Sequence, residues 1–199
     1  MKKLFLIGGM GAGKSTARKA LTDEGLAWID LDQVGHEVLM WDTVKDDLRG
    51  AFGDDIFDEN GEVVRSALAA KAFATPAATR KLNTITMPRI EERYTDLIDG
   101  FEAEGKPAVV VEYSVFRNRQ QSLAYGADVV MAVRAPLETR IERAVASGFS
   151  EEDVRARIAR QITDADRIEA ADVVFNNDGT PEELRNEVLA WWNEYKKEL

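Results

Sequence analysis

The chain has 199 residues, enough for one well-buried domain, and its proportions of hydrophobic (45%) and charged (31%) residues are ordinary for a globular protein. It has no cysteine, which excludes disulfides and thiolate chemistry and favours a cytoplasmic location. The formal net charge is −10, so we expect no nucleic acid partner. No segment approaches the roughly 20 apolar residues of a membrane-spanning helix, so we expect no membrane association. The interpretation is an acidic monomer.

Strand-length apolar runs alternate with helical patterns along the chain. This alternation predicts an α/β fold, with a mostly parallel sheet covered by helices on both faces. Five strands are predicted, at 3–7, 26–29, 108–111, 127–133 and 172–175. Helices are predicted at 16–25, 33–41, 44–52, 64–73, 75–104, 117–125, 137–146, 150–162 and from 180 onward. The 75–104 helix is expected to be interrupted or restarted at Pro88. Trp191 and Trp192 are expected to pack as core and edge.

A glycine-rich segment, Gly8–Ser15, directly follows the first apolar run and fits the pattern of a phosphate-binding loop. Glycines let the backbone curl so that successive N–H groups point at phosphate oxygens. Lys14 can reach the β- and γ-phosphates, and the Ser15 hydroxyl can ligate Mg²⁺. The helix that follows adds its N-terminal dipole. We therefore expect ATP with Mg²⁺, held by Gly9, Gly11, Ala12, Gly13, Lys14, Ser15 and Thr16.

Carboxylates follow two of the predicted strands. Asp30 and Asp32 come after the second strand, at the edge where open parallel sheets bind ligands. Phosphoryl transfer to a hydroxyl needs a carboxylate to take its proton, and strand alternation predicts that only one of the two faces the γ-phosphate. The alternative is a solvated acidic turn. His36 shares a helical face with Asp32 and is either ligand-facing or structural. Glu112, which ends the third strand, either holds Mg²⁺ through water or is a simple strand-end charge.

Arginines and a polar turn complete the candidate set. Arg140 and Arg143 lie one turn apart after the fourth strand, and four more arginines follow within a short span. Such a segment can close over ATP and neutralise charge on the transferred group. Interleaved acids favour the alternative of an ion-paired surface for most of them. Asn177 and Gly179 form a turn whose backbone either pairs with the adenine edge or is only a turn.

Further short motifs occur in a fixed order along nearly the whole chain. They are Gly8–Thr16, Ile29–Asp32, Gly35–Val38, Phe52–Gly53, Gly61, Arg65, 82–90, Gln161, 171–174, Asn177 and Gly179. Together they resemble the dephospho-coenzyme A kinase family. The resemblance implies ATP- and Mg²⁺-dependent phosphorylation of the ribose 3′-hydroxyl of dephospho-coenzyme A, with Asp32 as general base. It also implies acceptor contacts from Arg65, a lid containing Arg140 or Arg143, and an adenine loop containing Asn177.

The resemblance further implies a P-loop kinase three-layer sandwich with a five-stranded parallel sheet. The core is expected at 1–32, 106–136 and 168–199, a helical acceptor-binding insertion at about 33–105, and a lid at about 137–167. The expected substrate-binding residues are Asp32, His36, Arg65 and Glu112.

Several positions depart from the usual family pattern. Met87 stands where the family has His, Ser114 where it has Pro, and Ser147 near an expected second lid arginine. These departures lie on the acceptor and lid side. Two alternatives therefore stay open, a P-loop kinase for another small hydroxyl such as a nucleoside or sugar, and a nucleotide-binding protein with little turnover.

Overall fold

The structure is a computed structural model that describes residues 1–199. Its strands are β1 Lys2–Gly8, β2 Ala27–Asp30, β3 Ala108–Glu112, β4 Val129–Arg134 and β5 Val173–Asn176. Its α-helices are α1 Lys14–Asp23, α2 Leu31–Val38, α3 Asp42–Phe52, α4 Arg65–Ala72, α5 Pro76–Ala103, α6 Leu137–Ala146, α7 Glu151–Ala159, α8 Asp164–Ala170 and α9 Pro181–Tyr195. None of these helices combines the length and apolarity that crossing a bilayer requires.

The five strands form one all-parallel sheet in the order β2-β3-β1-β4-β5. The predicted fold class is confirmed. Across the carboxyl edge, Glu112 lies opposite Leu6 of β1 and opposite Asp30 of β2. Because β1 is the central strand, the loop that follows Gly8 starts in the middle of the edge where parallel sheets bind ligands.

Alternating residues of β1 pack on opposite faces of the sheet. Leu4 and Leu6 are fully buried in a cluster that includes Leu21 of α1 and Val188 of α9. Phe5 points to the other face and meets the edge of the Tyr113 ring, with centroids 6.3 Å apart. Both faces being covered explains why the strands are continuously apolar.

The last helix closes one face of the sheet through its aromatic residues. Trp192 is only 3% exposed, and Trp191 is partly buried beside the same cluster. The two rings therefore pack as one core and one edge residue, with Trp192 in the core and Trp191 at its edge, the reverse of the predicted order.

The chain forms two compact units, one of residues 1–30 and 98–199 and the other of residues 31–97. The first contains the whole sheet. The second is helical, and its buried apolar side chains include Val38, Val44, Leu48, Ile56 and Leu68.

The predicted interruption or restart of the long helix at Pro88 is wrong, because α5 runs through Pro88 without a break. Proline lacks the N–H that the carbonyl of residue 84 would accept, so one bond of the ladder is missing. The helix extends for several turns on each side of Pro88, so it tolerates the loss of this one hydrogen bond.

Two other local predictions are wrong. The predicted helix at 117–125 is reduced to a short 3₁₀ turn, Ser122–Ala124. Gln121 Oε1 there accepts from the backbone N–H groups of Arg117 and Asn118, which competes with a helical start. The helix predicted to reach residue 162 ends at Ala159, and the separate helix α8 follows.

Candidate nucleotide-binding and catalytic site

The glycine-rich loop joins the end of β1 to the start of α1. Gly11 and Gly13 have φ of +74° and +105°, in the left-handed region that favours glycine. Neighbouring groups also leave no room for side chains. A Cβ on Gly9 would lie 2.0 Å from Arg140 Nη2, and one on Gly13 would lie 2.1 Å from Asn177 Nδ2. The glycines are therefore required by packing as well as by conformation.

A cavity of about 510 Å³ lies over the loop and the first turn of α1. The loop residues that line it are Met10, Gly11, Gly13, Lys14, Ser15 and Thr16. Lys14 Nζ donates to the carbonyl of Gly8 at 3.2 Å, which keeps the ammonium beside the loop. Backbone N–H groups at a helix N-terminus and a lysine together form a site suited to a chain of phosphates.

The turn after β5 is tied to the loop and to α6. Asn177 is only 5% exposed, and its Nδ2 donates to the carbonyl of Ala12 at 2.7 Å. Arg143 donates from Nη1 to the carbonyl of Asn177 at 3.2 Å and from Nη2 to that of Gly179 at 3.3 Å. Arg143 and Asn177 both line the cavity, so the structure brings these predicted residues together at one site.

Arg140 lies in a different environment from Arg143. It is 3% exposed, donates from Nε to the carbonyl of Met10 at 2.9 Å, and pairs through Nη1 with Asp164 at 2.8 Å. Its side chain packs against the loop itself rather than lying among the residues that line the cavity.

Glu112 also lines the cavity, at the carboxyl end of β3. Its Oε2 lies 3.6 Å from Nε of Arg18, whose guanidinium stacks 4.0 Å from the centre of the Trp28 ring. Ser15 lines the same cavity as Glu112. No cluster of three or more His, Asp or Glu side chains has the arrangement of a dedicated metal site. Mg²⁺ needs no such cluster, since it is usually held by one or two protein ligands together with phosphates and water.

The helical unit contains the other predicted site residues. Asp32 is exposed in the first turn of α2, which begins at Leu31. The expectation that strand alternation separates Asp30 from Asp32 is wrong for two reasons. Side chains two residues apart share a face of a strand, and the strand ends at Asp30, before Asp32. His36 lies one helical turn further on, and Arg65 Nη1 is 2.8 Å from its Nε2. The structure thus brings His36 and Arg65 together.

Sequence reasoning missed the contacts of Asp164 and Arg167. Both are in α8, and Arg167 is 5% exposed with its Nη1 2.6 Å from Asp164 Oδ1. A sequence signal was available in Thr163 and Asp166, which form a capping box at the start of α8. That signal predicts the helix and not its contact with the loop, which only the tertiary structure provides.

A central strand, a phosphate-binding loop and a helix opening with Lys-Ser, within a sheet of this strand order, define a P-loop kinase. The family model for dephospho-CoA kinase (CoaE) matches residues 4–183. The chain belongs to the dephospho-CoA kinase family.

Individual relatives and solved structures agree with this membership. A dephospho-CoA kinase from Corynebacterium glutamicum is 39% identical over 189 residues, which cover 94% of each chain. A crystal structure from Thermus thermophilus is 26% identical, covers 97% of each chain and has a TM-score of 0.82. The dephospho-CoA kinase of Campylobacter jejuni shares the fold, with 21% identity, a TM-score of 0.65 and coverage of 97% of this chain and 96% of that one.

The predicted family and activity are confirmed. The chain is a phosphotransferase with dephospho-CoA kinase activity, and its family uses ATP. This finding favours the predicted acceptor over the two alternatives, another small hydroxyl compound or binding with little turnover.

Proposed function

We propose that ATP binds with Mg²⁺ in the cavity over the phosphate loop and passes its γ-phosphoryl group to the ribose 3′-hydroxyl of dephospho-coenzyme A. The observation that carries the proposal is the cavity itself, which joins the loop, the start of α1 and the turn after β5. The phosphates would contact Gly9, Gly11, Ala12, Gly13, Lys14, Ser15 and Thr16.

Two side chains of the cavity suit a phosphate-bound Mg²⁺. Ser15 offers a hydroxyl at the start of α1, and Glu112 offers a carboxylate from the end of β3. We assign Ser15 to direct ligation and Glu112 to contact through water. The ion would neutralise charge on the phosphates, while Lys14 adds a positive charge from the loop.

The adenine base of ATP and one arginine also have candidate positions at this cavity. The polar turn of Asn177 and Gly179 would receive the adenine edge. Arg143 contacts that turn and lines the cavity, so it is the arginine that we propose to reach the phosphates. If the Arg143 guanidinium moved from the carbonyls of the turn to the phosphates, it would exchange two neutral acceptors for charged ones, which make stronger hydrogen bonds.

Asp32 is proposed as the general base that takes the proton from the acceptor hydroxyl. Its support is its place in the chain, two residues after β2 ends at the carboxyl edge of the sheet. The residue is exposed. His36 and Arg65, which lie in contact, are proposed to hold the acceptor.

The variant Asp32→Asn tests this assignment. A positioned general base contributes about 10²–10⁴-fold to the rate. We expect kcat to fall by about that factor while the Kd for ATP, measured by calorimetry, stays within a few-fold. Asp42→Asn is the matched control, because Asp42 is also exposed in the first turn of a helix in the same unit. Unchanged turnover in Asp32→Asn contradicts the assignment.

We also propose that the protein acts as a cytoplasmic monomer. The support is its acidic composition and the absence of cysteine. Light scattering on the purified protein tests the oligomeric state, and a mass of two or more chains at micromolar concentration contradicts it.

A further inference from the structure

Both hydrogen-bonding groups of Met10, in the middle of the phosphate loop, are held by side chains from outside the loop. Gln161 Oε1 accepts from the Met10 N–H at 3.1 Å, and Arg140 Nε donates to the Met10 carbonyl at 2.9 Å. Arg140 lies in α6, and Gln161 follows α7. Fixing both groups of one residue fixes the orientation of the peptide planes on either side of it.

The two side chains that hold Met10 are themselves joined through α8. Arg140 Nη1 donates to Asp164 Oδ2 at 2.8 Å, and Arg167 Nη1 donates to Asp164 Oδ1 at 2.6 Å. Arg167 Nη2 reaches Gln161 Oε1 at 3.4 Å, which closes the chain of contacts. Both arginines are at least 95% buried, so their positions are fixed by packing as well as by charge.

Arg140 also follows the surface of the loop closely. Its Nη2 is buried without a hydrogen-bond partner and lies against Gly9. Its main-chain carbonyl lies against Gly11, 2.2 Å from where a Cβ would stand. Two guanidinium groups share the single carboxylate of Asp164, which leaves one positive charge in excess beside the loop. Burial lowers the pKa of Arg167, and Asp164 opposes this shift and helps to keep the group charged.

We propose that Arg140 is a positioning residue for the phosphate loop. Acting through Met10 together with Gln161, it holds the loop in the conformation that binds the phosphates of ATP, and Asp164 and Arg167 hold Arg140 in place. The proposal rests on the proposed binding of ATP at this loop. It gives Arg140 a role different from that of a lid arginine that touches a phosphate directly.

The variant Asp164→Asn separates the two roles, because they predict opposite changes in the affinity for ATP. Removing an anion near the phosphates, and freeing Arg140 to reach them, tightens ATP binding if Arg140 is a phosphate ligand. If Arg140 positions the loop, loss of its charged partner weakens binding by about tenfold, as expected for one charged hydrogen bond. Calorimetry measures the Kd for ATP and for inorganic tripolyphosphate, which lacks a base. We expect both to weaken by the same factor.

The variant Gln161→Ala tests the other contact without changing any charge. We expect faster hydrogen exchange at the Met10 amide and weaker binding of ATP and tripolyphosphate. The control is Arg185→Gln, which removes an ion pair of 2.7 Å to Asp23 at the far end of α1 from the loop. This control is expected to change neither readout. Gln161→Ala decides the question alone if Asp164→Asn does not fold.

The outcomes keep the two proposals apart. If the wild-type chain binds neither ATP nor tripolyphosphate, the nucleotide site itself is wrong. If the wild type binds ATP and Asp164→Asn binds it equally or more tightly, the positioning role is overturned and the site stands. Faster exchange at Met10 in Gln161→Ala without any loss of affinity also overturns it.

Discussion

Arg140 and Arg143 lie three residues apart in α6, yet their side chains have different environments. Arg143 donates to two carbonyls of the turn after β5 and lines the cavity, whereas Arg140 is buried against Gly9 and Met10. Residue type and spacing alone treat the two as equivalent candidates for the phosphate contact. Burial and hydrogen-bond partners distinguish them, and they favour a direct contact for Arg143 and a supporting one for Arg140.

Gly11 offers a sharp test of the packing of the loop. Gly11 and Gly105 have nearly the same φ, +74° and +71°, but a Cβ on Gly11 would lie 2.2 Å from the Arg140 carbonyl while one on Gly105 would meet nothing within 4 Å. Gly105→Ala should therefore lose only the about 1–2 kcal/mol of left-handed strain. Gly11→Ala should lose more stability in urea unfolding, and ATP affinity as well. Equal losses of stability would show that the Arg140 contact is unimportant.

The role of Ser15 as a Mg²⁺ ligand can be tested through the dependence of the rate on Mg²⁺ concentration. Its hydroxyl opens α1 within the cavity, and Ser15→Ala removes that oxygen with little change in shape. We expect chelation of Mg²⁺ to abolish turnover of the wild type. We expect Ser15→Ala to need at least about tenfold more Mg²⁺ for half-maximal rate, since a lost ligand of this kind weakens a charged contact. An unchanged Mg²⁺ requirement in Ser15→Ala contradicts the assignment.

At the scale of elements, α9 begins with a complete capping box. The Thr180 hydroxyl accepts from the Glu183 N–H at 3.2 Å, and the Glu183 carboxylate accepts from the Thr180 N–H at 2.7 Å. Pro181 occupies the first turn, as the sequence predicts. Because α9 is anchored in the core by the buried Val188, we expect Thr180→Ala to lower the free energy of unfolding by about 1 kcal/mol. Urea denaturation measures this, and no change contradicts the role of the cap.

The same cap predicts a dependence of stability on pH. Hydrogen bonds from the Thr180 N–H and hydroxyl lower the pKa of Glu183 below its usual 4.5. A lowered pKa in the folded chain means that the stabilisation is present above pH 4.5 and lost as the pH falls through the folded value. The wild type should therefore exceed Glu183→Gln in stability at pH 7, and the difference should shrink as the pH falls below 4.5. Glu182→Gln, in the same first turn, is the control, and a pH-independent gap contradicts the assignment.

Other elements show where sequence patterns mislead. A helix is predicted over 117–125, but Leu123 and Ala124 are buried in a short turn that follows the Gln121 contacts. The start of α2 at Leu31 placed Asp32 on a helix rather than on a strand. At 117–125 a local contact of Gln121 that periodicity does not encode competes with the helix.

At the scale of the whole molecule, the sheet and the loop could be predicted because their signals are contiguous. Gly8–Ser15 is one uninterrupted motif, and the strands are short apolar runs. The support behind the loop could not be predicted, since Met10 and Asp164 are distant in sequence and only the fold brings Arg140 between them. Residues that act on the loop through other residues leave no local pattern.

The net negative charge of the chain explains why basic residues are concentrated around the phosphate loop. A protein of net charge −10 repels ATP at long range, so the positive charge has to be concentrated at the site. Lys14 and Arg143 line the cavity, and Arg140 and Arg167 lie buried behind the loop. The acidic surface and the basic loop surroundings are therefore compatible with one function.

The central claim is phosphoryl transfer from ATP to dephospho-coenzyme A, and one acceptor panel tests it most directly. ADP formation by the purified protein is measured with dephospho-coenzyme A, nucleosides, sugars and shikimate, and phosphorus NMR identifies the phosphorylated position. We predict a rate with dephospho-coenzyme A at least about 100-fold above any other acceptor, in line with the discrimination expected when a site hydrogen-bonds its substrate. The product should carry its new phosphate on the ribose 3′-oxygen. Equal or faster ADP formation with another acceptor, or none with dephospho-coenzyme A, would contradict the account.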